Sequence, residues 1–138
     1  MKIGLIGLGD IAKKAYLPVL SEKEGIELVL CTRNAETLNA LATVYRIQEK
    51  VQNVDELIAT DIDAAFVSTA TEAHFEITEK LLQNGINVYI DKPISLSIHE
   101  TERIVQLAKE RGKIAMVGFN RRFIPKVREL KEQGKPSF

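Results

Sequence analysis

The sequence predicts an α/β fold: a doubly wound parallel sheet (a Rossmann fold) in three layers, α/β/α, within a single domain. Three observations carry that expectation. Short apolar runs alternate with segments of helical period through short connections, the pattern of parallel strands crossed by helices on both faces. The first run leads into Gly7-Leu8-Gly9-Asp10-Ile11-Ala12, two glycines one residue apart with a small residue three positions later. That spacing lets a strand turn tightly into a closely packed helix. The chain has 138 residues, 45% of them hydrophobic, enough for one proper core. Six strands with this turn after the first fit the order 3-2-1-4-5-6.

The elements follow in order. Lys2 to Ile6 is a short buried strand, and about Asp10 to Leu20 a helix, kinked or ended in its regular part by Pro18. Glu27 to Cys31 is a second apolar strand. Asn34 caps a helix reaching about Val44. A weak third strand lies near Lys50-Val51, before a short helix from Val54 to Ala59 with Asp55 and Glu56 in its first turn. Ala64 to Ser68 is the fourth strand. Glu72 to Asn84 is an amphipathic helix stopped by Gly85, with Thr71 as its cap. Ile86 to Ile90 is the fifth strand. Ser97 to Arg111 is a long helix with Ile98, Ile104, Val105 and Ala108 toward the core, ended by Gly112. Ile114 to Val117 is the sixth strand, and Val127 to Gln133 a last helical piece. Gly134 to Phe138 reads as an interdomain turn.

Several residue groups carry chemistry. In the glycine turn, Gly7 permits the bend and Gly9 leaves the backbone open to a pyrophosphate. The amides of Gly7, Gly9, Asp10 and Ile11 lie where a helix start offers N–H groups and a positive dipole end. The turn is therefore a candidate dinucleotide site. Where an NAD site places a carboxylate for the ribose, the second strand ends in Cys31-Thr32-Arg33-Asn34. A hydroxyl beside a guanidinium suits a 2′-phosphate, so NADP is favoured over NAD. Ser68-Thr69-Ala70-Thr71 sets hydroxyls at the end of the fourth strand, and Asp91-Lys92-Pro93 sets a charged pair at the end of the fifth. Ligands bind such sheets at this edge. A lysine there can polarise a hydroxyl. Gly118-Phe119-Asn120-Arg121-Arg122-Phe123 follows the sixth strand, either lining the site or forming a charged turn, and His99 reads as surface.

Together these pieces resemble the N-terminal half of the glucose–fructose oxidoreductase / inositol dehydrogenase family (Gfo/Idh/MocA). The resemblance rests on GLIGLGDIA at 4–12, STATEAH at 68–74, VYIDKPIS at 88–95 and GFNRRFIP at 118–125. It implies an NAD(P)-dependent oxidoreductase acting on a sugar, cyclitol or related small molecule. It implies that Lys92 is catalytic, between nicotinamide and reacting carbon, with a cis bond to Pro93. Asp91 stands in place of the family's glutamate. Thr69 and His74 match a Thr-Pro-x-x-x-His pattern whose proline is missing here, and Arg122 matches an arginine near the nicotinamide. The cofactor contacts so implied are Gly7, Gly9, Asp10, Ile11, Thr32, Arg33, Thr69, His74, Asp91, Lys92 and Arg122. No residue is assigned to a metal. The family's second domain normally supplies the substrate pocket, a catalytic histidine and the pairing surface of a homo-oligomer. Residues 1–120 are then expected to be the cofactor domain, and 121–138 the start of the connection to a second domain. Such a piece alone is expected to bind cofactor and turn over little substrate. The alternative is a non-catalytic dinucleotide-binding or redox-sensing module. A Rossmann-like methyltransferase binding S-adenosylmethionine is a second rival.

Lysine plus arginine equals aspartate plus glutamate, 19 each, which argues against a nucleic-acid partner. The single cysteine, Cys31, cannot form an internal disulfide. With no signal peptide and no apolar stretch of spanning length, the expected address is the cytoplasm, away from membranes.

Overall fold

Six strands, β1 (Lys2–Ile6), β2 (Glu27–Cys31), β3 (Glu49–Val51), β4 (Ala64–Val67), β5 (Asn87–Ile90) and β6 (Ala115–Val117), form one sheet in the order β3-β2-β1-β4-β5-β6. The structure is a computed structural model and describes residues 1–132 and 134. Every pairing is parallel, and β1 is held on both sides, Gly4 facing Val29 in β2 and Ala65 in β4. This is the expected strand order, with the order of strand addition reversing between β1 and β4.

Alternation along the strands divides the core. Leu5 and Leu30 meet Ala12 and Leu17 of the first helix and Leu38 and Ala42 of α2 (Ala35–Tyr45). On the opposite face Ile6, Val29, Ala65, Val67, Val88 and Ile90 pack against Leu57 of α3 (Val54–Ile58) and Leu81 and Leu82 of α4 (His74–Gln83). Ile104, Leu107 and Ala108 of α5 (Ile98–Arg111) complete that layer. Each fully buried leucine contributes roughly 1.5–3 kcal/mol. Asn34 caps α2 by accepting from the Thr37 amide at 2.8 Å. Gly85 and Gly112 close α4 and α5 in left-handed conformations.

Four details differ from expectation. The helix over residues 10–20 is continuous, and its irregularity lies upstream of Pro18. Over Ala12–Tyr16 the turn is wide, and the Leu17 amide bonds to the carbonyl five residues back, on Ala12. Pro18 then sits in the regular segment α1 (Leu17–Leu20), directly after the widened turn, with no N–H to continue the ladder. Thr71 begins a short 3₁₀ turn, Thr71–Ala73, and makes no side-chain cap there. In α5 the residues three and four apart, Ile104, Leu107 and Ala108, fill the inner stripe. Ile98 and Val105 lie one position round from it and are exposed. The last helix, α6 (Pro125–Glu132), starts two residues early because proline suits a first helical position. The interdomain reading of the final residues falls largely outside the described residues. Among the described residues, no helix is long and apolar enough to cross a membrane.

Candidate functional site

The carboxyl ends of β1, β4, β5 and β6 stand side by side, about 4.8 Å apart from strand to strand. The glycine turn opens from β1. Gly7 has a φ of +86°, and a Cβ there would lie 2.7 Å from the carbonyl of Ser68 and 2.8 Å from the Thr69 nitrogen. Only glycine allows both that backbone and that approach. The Gly7 amide donates to Cys31 O at 3.0 Å. Its carbonyl accepts from the Ser68 hydroxyl at 2.8 Å. Ser68 is buried, so this hydroxyl fastens the turn to β4. At Gly9 a Cβ would meet nothing within 4 Å. The space beside that backbone is open, as a phosphate would need.

The helix ladder starts with the Lys13 amide donating to Gly9 O at 3.1 Å. The amides of Asp10 and Ile11 precede it and point out of the helix start. The Asp10 side chain is occupied by Lys14, 2.8 Å away. That ammonium holds the Asp10 carboxyl below its ordinary range, by hydrogen bond first and charge second.

A cavity of about 460 Å³ opens beside the turn, lined among others by Gly7, Thr32, Arg33, Gln52, Thr69 and Lys80. Gln52 donates its side-chain amide to Arg33 O at 3.2 Å, holding the loop after β2. Lys80 is paired with Asp55 at 2.6 Å, and Arg33 is exposed on the β2 side of the cavity. Cys31 also lines the wall. Burial, with the Glu56 charge second, pushes its thiol up to about 11.

Asp91 and Lys92 follow β5, two strand spacings from β1, roughly 10 Å. The Asp91 amide donates to Val67 O at 2.9 Å. Its carboxylate accepts from the Tyr16 hydroxyl, also at 2.9 Å. Burial first, and then the Asp91 carboxylate, raise the Tyr16 hydroxyl well above the ordinary phenol range, so it stays a donor. Lys92 is exposed, and its bond to Pro93 is cis. His74 is 1% exposed. Its Nδ1 lies 2.8 Å from Pro93 O and its Nε2 3.1 Å from Thr69 O. A neutral ring can donate to only one of these two carbonyls. The ring ties the loop after β4 to the loop after β5.

The structure thus brings Gly7, Thr32, Arg33 and Thr69 around one cavity, with Gly9, Asp10 and Ile11 continuing from Gly7 along the helix start. Asp91 and Lys92 stand further along the same strand edge. Two other expected contacts, outside the cavity lining as well, are engaged within the protein. His74 is buried between carbonyls. Arg122 lies in the 3₁₀ turn Asn120–Phe123, its guanidinium over the Phe119 ring at 5.6 Å and its Nε donating to Phe119 O at 3.3 Å. Sequence reasoning missed Tyr16 and Gln52. Gln52 follows β3 at the ligand edge of the sheet, a signal that could have found it. Tyr16 depends on the wide turn, which leaves no mark of that kind.

A family profile described as "Oxidoreductase family, NAD-binding Rossmann fold" matches residues 1–119. A Gfo/Idh/MocA family oxidoreductase from Vibrio cholerae superposes with a TM-score of 0.90 at 42% identity, over 96% of this chain and 44% of that one. The myo-inositol dehydrogenase Hyg17 of Streptomyces leeuwenhoekii is 37% identical over 131 residues, 95% of this chain and 40% of that protein. KijD10, a 3-ketoreductase from Actinomadura kijaniata solved with NADP, is 26% identical with a TM-score of 0.88, over 96% of this chain and 43% of that one. The chain spans about two fifths of the length of the curated relatives it matches.

Proposed function

The chain belongs to the Gfo/Idh/MocA oxidoreductase family, and from that premise we propose that it is the NADP(H)-binding part of a dehydrogenase or reductase. The reaction is hydride transfer between the cofactor and a hydroxyl-bearing carbon of a sugar or cyclitol. The observation that carries the reading is the glycine turn. Gly7 is clamped where no other residue fits, while Gly9 faces open space beside a cavity at the ends of the strands. That arrangement fits a dinucleotide's pyrophosphate.

The amides of Gly9, Asp10 and Ile11 hold the phosphates, and Gly7 shapes the turn. Thr32 and Arg33 read the adenosine ribose. The exposed guanidinium, with no carboxylate at the end of β2, supports a 2′-phosphate there. KijD10, solved with NADP, is in keeping with that choice. Thr69 and Lys92 flank the nicotinamide, which accepts or returns the hydride when bound. Lys92 orients the substrate oxygen and stabilises charge developing on it. His74 is buried and His99 is a surface residue beside Glu102, so neither takes the substrate proton. That group would belong to a second domain, with residues 1–120 as the cofactor domain and 121–138 as the start of the connection to it. Hyg17, a myo-inositol dehydrogenase, supports the polyol class. The same second domain would carry the pairing surface of a homo-oligomer.

Titrating the chain with NADPH, NADH and S-adenosylmethionine tests this directly. We expect saturable binding of NADPH, tighter than NADH. Binding of S-adenosylmethionine alone would overturn the proposal.

A further inference from the structure

We propose that Tyr16 is a positioning residue for the Asp91–Lys92 corner: its hydroxyl, bonded to Asp91 Oδ1, ties the helix that begins at the phosphates to the loop that carries Lys92. This rests on the cofactor placement above and adds a residue to it.

Three observations support the strut. The first is its span. The bond joins residues 75 apart in sequence at 2.9 Å. It runs from the helix after β1 to the end of β5, past the intervening β4. A dinucleotide reaching from the glycine turn to Lys92 must lie along the same edge.

The second is rigidity. The Tyr16 ring meets Phe66 of β4 and Tyr89 of β5 edge-on, at 5.4 and 5.8 Å between centroids, and those two rings stack on one another at 4.6 Å. The donor is held before it bonds, so little freedom is lost in making the contact. The Asp91 amide is bonded to Val67 O, which fixes the acceptor's backbone as well.

The third is the wide turn. Ala12 and Leu17 are five residues apart and both fully buried. In a regular helix, positions five apart lie well off a common face. The wide turn over Ala12–Tyr16 brings both onto the sheet and carries Tyr16 to Asp91. Wide turns of this kind concentrate at functional positions. The short aspartate side chain, bonded to a helix that stands over the sheet, sets where the next residue, Lys92, begins.

The test compares each reduced cofactor with its nicotinamide-free counterpart: NADPH with 2′-phospho-ADP-ribose, and NADH with ADP-ribose. The chain has no tryptophan, so reduced-cofactor fluorescence is read without that background. The counterparts are read by calorimetry. Tyr16→Phe keeps the ring contacts and removes only the hydroxyl. We expect it to weaken reduced-cofactor binding by about fivefold or more, since the lost bond is to a charged group. Binding of the counterparts should change by less than about twofold. Asp91→Asn should act in the same direction, and the double variant should be no worse than the weaker-binding single one. An equal loss on both ligand classes would reduce Tyr16 to a general structural role and overturn the inference. So would no loss on either, or independent additive effects of the two substitutions. Failure of the unsubstituted chain to bind any of these ligands would instead overturn the proposed function, and this inference with it.

Discussion

Replacing Gly7 and Gly9 by alanine, one at a time, should separate a glycine that the fold requires from one that the ligand requires. At Gly7 an L-residue must adopt a φ of +86°, which costs about 1–2 kcal/mol. Its Cβ also lands 2.7 Å from the Ser68 carbonyl group, where packed carbon atoms sit at roughly 3.5–4.0 Å. The end of β4 must therefore move, and overpacking of that kind costs about 1–3 kcal/mol. The reduced freedom of an unfolded chain carrying alanine returns about 0.4–1 kcal/mol. The net is a loss of about 2–4 kcal/mol, or on the order of 10 °C in melting midpoint for a domain this size. Gly9→Ala meets no atom within 4 Å and has no positive φ, so its stability should stay within about 0.5 kcal/mol. On the proposed placement its methyl group occupies the face through which a pyrophosphate approaches, and NADPH affinity should fall about tenfold or more, roughly 1.4 kcal/mol. Urea unfolding followed by far-ultraviolet circular dichroism reads the first quantity, and NADPH titration the second. Equal destabilisation by the two substitutions would refute the division of roles. A Gly9→Ala chain that binds NADPH within about twofold of the unsubstituted one would refute the placement of the phosphates.

Arg33→Ala should lower NADPH affinity by about tenfold and leave NADH within about twofold, in line with loss of one charge-assisted pair; an unchanged ratio in parallel titrations would remove Arg33 from cofactor choice. His74→Ala leaves a cavity and removes the ring N–H from whichever of Thr69 O and Pro93 O it serves, so unfolding in urea should show a loss of about 2–4 kcal/mol. A loss below about 0.5 kcal/mol would show that the ring does not bridge the two loops. The Cys31 thiol is raised by burial from 9.0 to about 11, so the fold favours its neutral form. That contribution to stability is complete below pH 9.0 and is lost as pH rises through about 11. At pH 8 a disulfide reagent should label the native chain about a hundredfold more slowly than the urea-unfolded chain. Because Cys31 lines the cavity, saturating NADPH should slow labelling further.

Much of the fold was legible because it rests on signals local to each segment. Asn34 and Gly85 mark helix ends through their own chemistry, and the alternation of strands and helices leaves few topologies for a parallel sheet. The first half of the candidate site was legible for the same reason, since Gly7 to Ala12 and Thr32-Arg33 are contiguous in sequence. What stayed hidden depends on pairs distant in the chain. The Ser68 hydroxyl resembles a ligand contact until the structure shows it bonded to Gly7 O. Tyr16 is one more aromatic residue in an amphipathic helix until the wide turn brings it to Asp91. Pro18 did announce an irregular helix, but the chain relieved the crowding one turn earlier. In α5 the apolar residues outnumber the places on its inner stripe, so composition alone could not say that Ile98 and Val105 would face solvent.

The bond from Ser68 to Gly7 has a consequence for how this molecule comes to exist. The residues it joins are 61 apart, and β1 finds its β4 partner only after β2, α2, β3 and α3 have been laid down. A nascent chain still short of Ser68 contains the whole Gly7-to-Ala12 motif and yet lacks the hydroxyl that locks its bend. Closing so long a loop is slow compared with forming a hairpin or a single helix. The glycine turn, although it precedes β4 in the chain, is therefore among the last parts of the sheet's centre to acquire its final shape, and a ligand that requires that shape reports on the completion of folding through β4.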